Sequence, residues 1–158
     1  MLTPQFKANN LAKAMGLNAD LFLKREDMHP YGSHKGRSIP LMMEHYAKQG
    51  IKIFCISSSG NGAIAAALAA QEHNRARQAL PLHDIEKANE LSLIIFIGKN
   101  IDKEKIKLIK KISKNNNQIQ IKQVKNPKQS AFKMEKNGLA KNLRQSTDDA
   151  ALEGYFEL

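Results

Sequence analysis

The chain has 158 residues, which is enough for one domain with a sizeable core, because a chain of that length can bury roughly 70% of its unfolded surface. Apolar residues make up 42% of it, and its single cysteine excludes an intrachain disulfide. No apolar run approaches the roughly 18 residues of a membrane span, and the first ten residues lack the apolar core of a signal peptide. These features indicate a cytoplasmic protein with no membrane partner.

The net charge of +10 is concentrated in one segment. Residues 99–141 contain thirteen lysines, three acidic residues and no arginine, so the rest of the chain is neutral. Nucleic-acid surfaces use arginine and stacking aromatic residues, and this segment is poor in both. We therefore interpret the lysines as a solvated surface and expect no nucleic-acid partner. The five histidines show no spacing typical of metal ligands, so no metal site is expected.

The first elements that the sequence predicts are a strand, a helix and a second strand. The first strand lies within LFLKRE at residues 21–24, and the helix runs from about residue 35 to residue 48, with Gly50 just after its end. The second strand is IKIFCIS, which is apolar enough to be central in a sheet and buried on both faces. Cys55 falls inside that strand, and we interpret it as a buried, inert thiol.

An alanine-rich helix follows the second strand. It is predicted at residues 63–73 after the turn SSSGNG, and alanine lets such a helix pack close to a sheet. Residues 74–89 are ambiguous. A third strand is predicted in LSLIIFIG, residues 91–98, and a helix at residues 101–112. The apolar face of that helix comprises Ile101, Ile106, Leu108, Ile109 and Ile112.

The last part of the chain contains a strand and two predicted helices. IQIKQV forms the fourth strand, Pro127 marks a turn, and helices are predicted in KQSAFKMEKNG and TDDAALEGYFEL. Thr147 or Asp148 would cap the last helix. Because strands and helices alternate with short connections, the sequence predicts an α/β fold with an open, mostly parallel sheet and flanking helices.

Two turns of this pattern could carry chemistry. In an open α/β sheet, ligands bind beyond the carboxyl ends of the strands, where loops enter helices. The turn at residues 57–62 offers unpaired backbone N–H groups and serine hydroxyls to an anion, although an ordinary turn capped by serine is an equal alternative. Lys35 lies in the other turn, HPYGSHKGRS. It is either a solvated side chain or an amine nucleophile.

The two turns together resemble a known enzyme family. LFLKREDMHPYGSHKGR followed by ISSSGNGAIAAALAA is similar to the pyridoxal-phosphate (PLP) enzymes of fold type II, the tryptophan synthase β-subunit-like superfamily, and within it to threonine synthase and its dehydratase relatives. The family pattern K-x-E corresponds to Lys24 and Glu26, P-T-G-S-x-K-D-R to residues 30–37, and S-S/T-G-N to residues 58–61. RQSTDDAALEGY resembles the segment that precedes re-entry into the large domain in threonine-synthase-like members.

The resemblance implies a PLP-dependent lyase that acts on an amino-acid substrate by β- or γ-elimination or replacement. By that resemblance, Lys35 would carry the cofactor covalently and move the substrate's α-proton. His34 would stand beside the cofactor, and Asn61 would hydrogen-bond its 3′-oxygen. The residues implied to hold the substrate's α-carboxylate are Ser58, Ser59, Gly60 and Asn61.

The chain departs from the family pattern at two positions in the lysine turn. Tyr31 replaces the usual threonine, and Gly36 replaces the usual aspartate. The glycine removes a favourable carboxylate from the first turn of the helix and a candidate ionic partner of Arg37, so a weakened activity is expected.

A larger departure is the absence of the glycine-rich loop that binds the cofactor phosphate, because glycines after Asn61 are isolated. We therefore expect an N-terminal fragment with a lead-in strand and cofactor-lysine segment at residues 1–50, a small α/β domain at 51–143, and the return to a large domain at 144–158. Alone it would be inactive, with an exposed apolar face on the first strand. The partner would be a C-terminal half or another copy in a homo-oligomer. The alternative is a non-catalytic α/β remnant that binds an anion or a partner protein.

Overall fold

The structure, a computed structural model, describes residues 2–81, 84, 89–101, 103–114 and 116–156. Its strands and helices, in chain order, are β1 (Gln5–Lys7), α1 (Asn9–Ala14), β2 (Phe22–Lys24), α2 (Lys35–Lys48), β3 (Ile53–Ser57), α3 (Asn61–Gln78), β4 (Ser92–Ile97), α4 (Lys103–Ser113), β5 (Ile119–Gln123), α5 (Pro127–Lys136) and β6 (Lys141–Asn142).

The main sheet has the strand order β5-β4-β3-β6, and all of its pairings are parallel. In its register Ile53 lies opposite Ser92, and Leu93 lies opposite Ile119. One face of the sheet packs against α2, α3 and α4, and the other face packs against α5. The predicted α/β fold with a parallel sheet and flanking helices is confirmed.

The central position of β3 follows from its side chains. Phe54 and Ile56 point to the core shared with α2 and α3, whereas Cys55 points to the smaller cluster beneath α5. All three are buried, as a strand covered on both faces requires. The alanines of α3 are almost entirely buried against this face, so the helix backbone lies close to the sheet.

The prediction of a helix in the last twelve residues is wrong. The described part of this segment contains the short 3₁₀ turns Asp149–Ala151 and Glu153–Tyr155 instead, and another, Gln145–Thr147, ends at its first residue. The segment packs against α2. Asp148 does act as a cap, because its carboxylate accepts the Ala150 N–H at 3.2 Å. Residues 157–158 lie outside the described part.

Smaller differences concern where helices begin and what their faces contact. Pro127 opens α5 at its first position, where a missing N–H costs nothing. Of the predicted apolar face of α4, Leu108 is exposed and the other four side chains contact the core. Part of the ambiguous segment, residues 82–83 and 85–88, lies outside the described residues. In the described ranges no helix is long and apolar enough to cross a membrane.

The N-terminal elements stand apart from the main sheet. β1 and β2 form a separate antiparallel pair, in which Gln5 lies opposite Lys24. The predicted strand at residues 21–24 therefore has one paired edge, whereas β1 and α1 were not predicted from the sequence. The apolar side chains exposed on these elements include Phe6, Leu11, Met15 and Phe22.

The interpretation of Cys55 as an inert thiol leads to a prediction. The residue has no exposed surface, and its thiol contacts the Ala131 carbonyl oxygen at 3.6 Å. Burial, with a smaller contribution from Glu135, raises the pKa of the Cys55 thiol to about 12. Since the thiolate is the reactive form, we expect no reaction with a disulfide reagent such as DTNB in the folded protein and one equivalent in denaturant. Rapid reaction of the folded protein would contradict this placement.

Candidate functional site

Lys35 is the first residue of α2, as the sequence predicts. Its backbone N–H faces the Ser33 hydroxyl at 3.3 Å, and the preceding turn is closed by the Gly32 N–H, which donates to the His29 carbonyl at 2.7 Å. Gly32 adopts a φ of 71°, which favours glycine. The Lys35 side chain is half-buried, and within the described ranges its amine forms no ion pair or hydrogen bond. The amine is therefore available for covalent chemistry.

The second predicted turn connects the end of β3 to the start of α3. The first hydrogen bond of the helix runs from the Ile64 N–H to the Gly60 carbonyl at 3.1 Å, and no side chain caps the helix. The N–H groups of the three residues before Ile64 therefore precede the helical ladder. A Cβ at Gly62 would lie 3.0 Å from the Ser58 hydroxyl, so the turn is tightly packed. This geometry is typical of a site for a carboxylate or phosphate.

The structure brings the two turns to the same end of the molecule. The Ile39 side chain, one turn into α2, lies 3.6 Å from the position of a Cβ on Gly62. Ile39 of α2 therefore packs on the first turn of α3, near the carboxyl end of β3. Of the remaining predicted site residues, His34, Ser59 and Asn61 are exposed, and Ser58 and Gly60 are half-buried. Among the described contacts, no hydrogen bond links Lys35 to the second turn, so a shared site of the two turns stays a prediction.

Open clefts adjoin the second turn. One of about 520 Å³ lies beyond the carboxyl ends of β3 and β4, and another of about 450 Å³ lies toward β6 and α5. Both are bordered by Ser57, Lys128 and Gln129. The turn therefore faces accessible space rather than the core, as a ligand-binding turn must.

A buried ion pair that sequence reasoning did not identify holds the first turn of α2. The Arg37 guanidinium donates to both carboxylate oxygens of Glu26, at 2.8 and 2.9 Å, and to the Thr3 hydroxyl at 3.1 Å. The hydrogen bond from Arg37 is the main reason why the pKa of Glu26 falls to about 2. Arg37 therefore has an ionic partner even though Gly36 offers it no carboxylate. The sequence feature that could have pointed to this ion pair is Glu26, the glutamate of the K-x-E motif.

The structure also explains why Gly36 stands where an aspartate is usual. A Cβ at this position would lie 2.5 Å from ring atoms of His29 and 2.5 Å from the Tyr31 Cβ. His29 is buried, and its Nδ1 accepts the Tyr31 N–H at 3.2 Å. Burial, followed by the nearby Arg37 charge, lowers the pKa of His29. The Tyr31 hydroxyl donates to Glu72 on α3. The two departures from the family pattern thus belong to one packed unit.

Comparison with known proteins identifies the family. The pyridoxal-phosphate dependent enzyme family matches residues 2–155. L-serine dehydratase/L-threonine deaminase of Bos taurus is 32% identical over 124 residues, which cover 73% of this chain and 36% of the relative. The match thus covers little more than a third of the length of this relative.

Solved structures show the same fold. A pyridoxal 5′-phosphate-dependent aspartate racemase superposes with a TM-score of 0.72 at 16% identity, over 98% of this chain and 42% of the racemase. Threonine deaminase isoform 2 from Solanum lycopersicum superposes with a TM-score of 0.69 at 21% identity, over 98% of this chain and 38% of the deaminase. The resemblance to fold type II enzymes is confirmed, and the chain belongs to the pyridoxal-phosphate dependent enzyme family.

Proposed function

We propose that this chain supplies the lysine and the carboxylate-binding turn of a PLP-dependent lyase that eliminates the side-chain substituent of a small amino acid. The observation that carries the proposal is the contact of Ile39, one turn after Lys35 in α2, with the position of a Cβ on Gly62, which directly follows residues 58–61. The curated relatives support a hydroxyl amino acid as the substrate, because they are named as serine and threonine dehydratases or deaminases. Threonine synthase activity is the narrower alternative that the motifs favour.

The residues present fit part of a PLP site. The Lys35 amine is not engaged by another described side chain, and three N–H groups precede the hydrogen-bond ladder of α3 at the second turn. When bound, PLP supplies an electron sink for negative charge that develops at the substrate's α-carbon.

The chain's own residues would have distinct tasks. Lys35 would hold the cofactor and, through Nζ, remove the α-proton and return it. The Asn61 amide would hydrogen-bond the cofactor's 3′-oxygen beside His34. Backbone N–H groups at the start of α3, with the Ser58 and Ser59 hydroxyls, would bind and orient the α-carboxylate. This orientation fixes which bond at the α-carbon faces the lysine.

The groups that bind the cofactor phosphate and ring nitrogen would come from polypeptide beyond these 158 residues. Two observations support this part of the proposal. The glycines after Asn61 are isolated, and the apolar residues of β1, α1 and β2 are exposed, with Phe22 52% and Met15 60% accessible. A completing partner would cover that surface, because exposed apolar area of this extent favours association.

The first experiment mixes the purified chain with PLP and records the visible band of a lysine-bound cofactor, expected at roughly 410–430 nm. Borohydride reduction and peptide mapping then locate the modified lysine. We expect the label on Lys35 and its loss in Lys35→Ala. The matched control is Lys48→Ala, at the other end of α2, where the amine pairs with Glu44 at 2.7 Å. Label scattered over the surface lysines would reject the proposal and favour a non-catalytic module that binds anions.

A further inference from the structure

We propose that residues 144–156, called the tail below, act as a positioning element for the Lys35 amine by fixing the first turn of α2. The role of Lys35 rests on the proposed function, but the positioning itself can be measured without a cofactor. The contacts that carry the inference involve Gly154, Tyr155 and Gln145 of the tail and Arg37 and Ser38 of the helix.

Gly154 packs directly on the backbone of α2. A Cβ at this position would collide with the Arg37 carbonyl and would lie 3.1 Å from the Ser38 backbone nitrogen. The tail backbone thus touches α2 two and three residues after Lys35. Since backbone atoms cannot rotate away as a side chain can, this contact fixes the distance between the tail and the helix.

Ser38 is the second point of attachment. The residue is completely buried, and its hydroxyl lies 3.0 Å from the Tyr155 hydroxyl and also receives a hydrogen bond from the Gln145 amide. Ser38 follows Lys35 by three residues, so the two side chains lie on the same side of the helix, one turn apart. The tail therefore contacts the side of α2 that presents the lysine.

Asp148, between Gln145 and Tyr155, holds the tail at the last turn of α2. The Tyr46 hydroxyl donates to Asp148 at 2.8 Å, and the Lys141 amine lies 3.2 Å from the same carboxylate and 4.2 Å from the Tyr46 ring centroid. Ala151, between these points, is 1% exposed and belongs to the core. The tail thus has separate attachments at the first and at the last turn of α2.

The first turn of α2 is consequently fixed from two directions. Arg37 ties it to Glu26 in the N-terminal region, and Ser38 ties it to the tail. The two attachments restrain the first turn of α2 on different sides, and with it the position from which the Lys35 side chain extends. Loss of the tail attachment removes one of these restraints.

The test compares Tyr155→Phe with Tyr46→Phe, which remove a hydroxyl from the tail contacts at the first turn and at the last turn of α2, respectively. Each full-length variant is acetylated with a trace of acetic anhydride, and the ratio of labelling at Lys35 to labelling at Lys48 is measured by mass spectrometry. We expect Tyr155→Phe to raise this ratio by roughly fivefold, because a less restrained first turn opens more often and exposes the half-buried Lys35 amine to the reagent. Tyr46→Phe is expected to leave the ratio unchanged.

General loosening of the protein would affect both lysines of α2, so the ratio separates positioning from a structural role. Amide hydrogen exchange supplies the second measurement, with faster exchange expected in residues 35–38 only for Tyr155→Phe. An unchanged ratio in Tyr155→Phe, or an equal change in Tyr46→Phe, would overturn the inference. Failure of PLP to label Lys35 in the wild-type protein would reject the proposed function, while the acetylation result would still decide the role of the tail.

Discussion

Replacement of Arg37 by alanine is expected to lower the free energy of unfolding by about 3–5 kcal/mol, because it leaves the Glu26 carboxylate partly buried without its partner. The Arg37 side chain is 2% exposed and that of Glu26 is 19% exposed. Urea denaturation at neutral pH measures the loss. Arg25→Ala is the matched control, since Arg25 also makes two hydrogen bonds to a carboxylate, that of Asp27, but at the surface. Its loss should stay below about 1 kcal/mol.

The same pair predicts a dependence of stability on pH. The ordinary pKa of the glutamate side chain is 4.5, and that of Glu26 falls to about 2 in the folded protein. The folded state therefore favours the ionised carboxylate. The stabilisation is therefore complete above about pH 4.5 and is lost as the pH falls toward 2. In Arg37→Ala this part of the pH profile should flatten. Equal losses in Arg37→Ala and Arg25→Ala, or an unchanged acid limb, would contradict the role given to this pair.

Restoring the family's aspartate at position 36 is expected to destabilise this protein, by about 2–3 kcal/mol for an overpacked site. The new Cβ would meet the His29 ring and the Tyr31 Cβ at 2.5 Å. Both neighbours are restrained, His29 by its burial and Tyr31 by its hydrogen bond to Glu72. Urea denaturation of Gly36→Asp measures the effect, and the control is Gly98→Asp, because a Cβ at Gly98 would have its nearest neighbour at 3.9 Å.

A double-variant cycle identifies the cause of that loss. If the His29 ring fills the space, Gly36→Asp should cost less in a His29→Ala background, where the turn can relax. Additive losses would show that the ring is not the obstacle. The need for glycine at position 36 would then be independent of the His29 ring.

The sequence predicted the order and type of most elements because those signals are local. An apolar run such as IKIFCIS, the alanines after residue 62 and the glycine at position 50 act over a few neighbouring residues. The short strands β1 and β6 gave no comparable signal, because each is only two or three residues long. Their place in the sheets depends on the strands beside them.

Of the candidate site, the sequence predicted the local parts but not how they pack together. The position of Lys35 and of residues 58–61 at helix starts followed from small residues after apolar runs, and the motifs pointed to the family. That the two turns are neighbours could only be expected by analogy, since α2 and α3 meet through tertiary packing, as the contact between Ile39 and Gly62 shows.

By itself, the sequence determined an α/β fold, the family and the lysine turn, because periodicity and short motifs are properties of adjacent residues. Only the tertiary structure decided which residues support that turn. Arg37 binds Glu26 eleven residues away, Tyr31 reaches Glu72, and Tyr155 reaches Ser38 across 117 residues. The tail does not form its predicted helix for the same reason. Its contacts with α2 stabilise an irregular backbone that the local sequence does not favour.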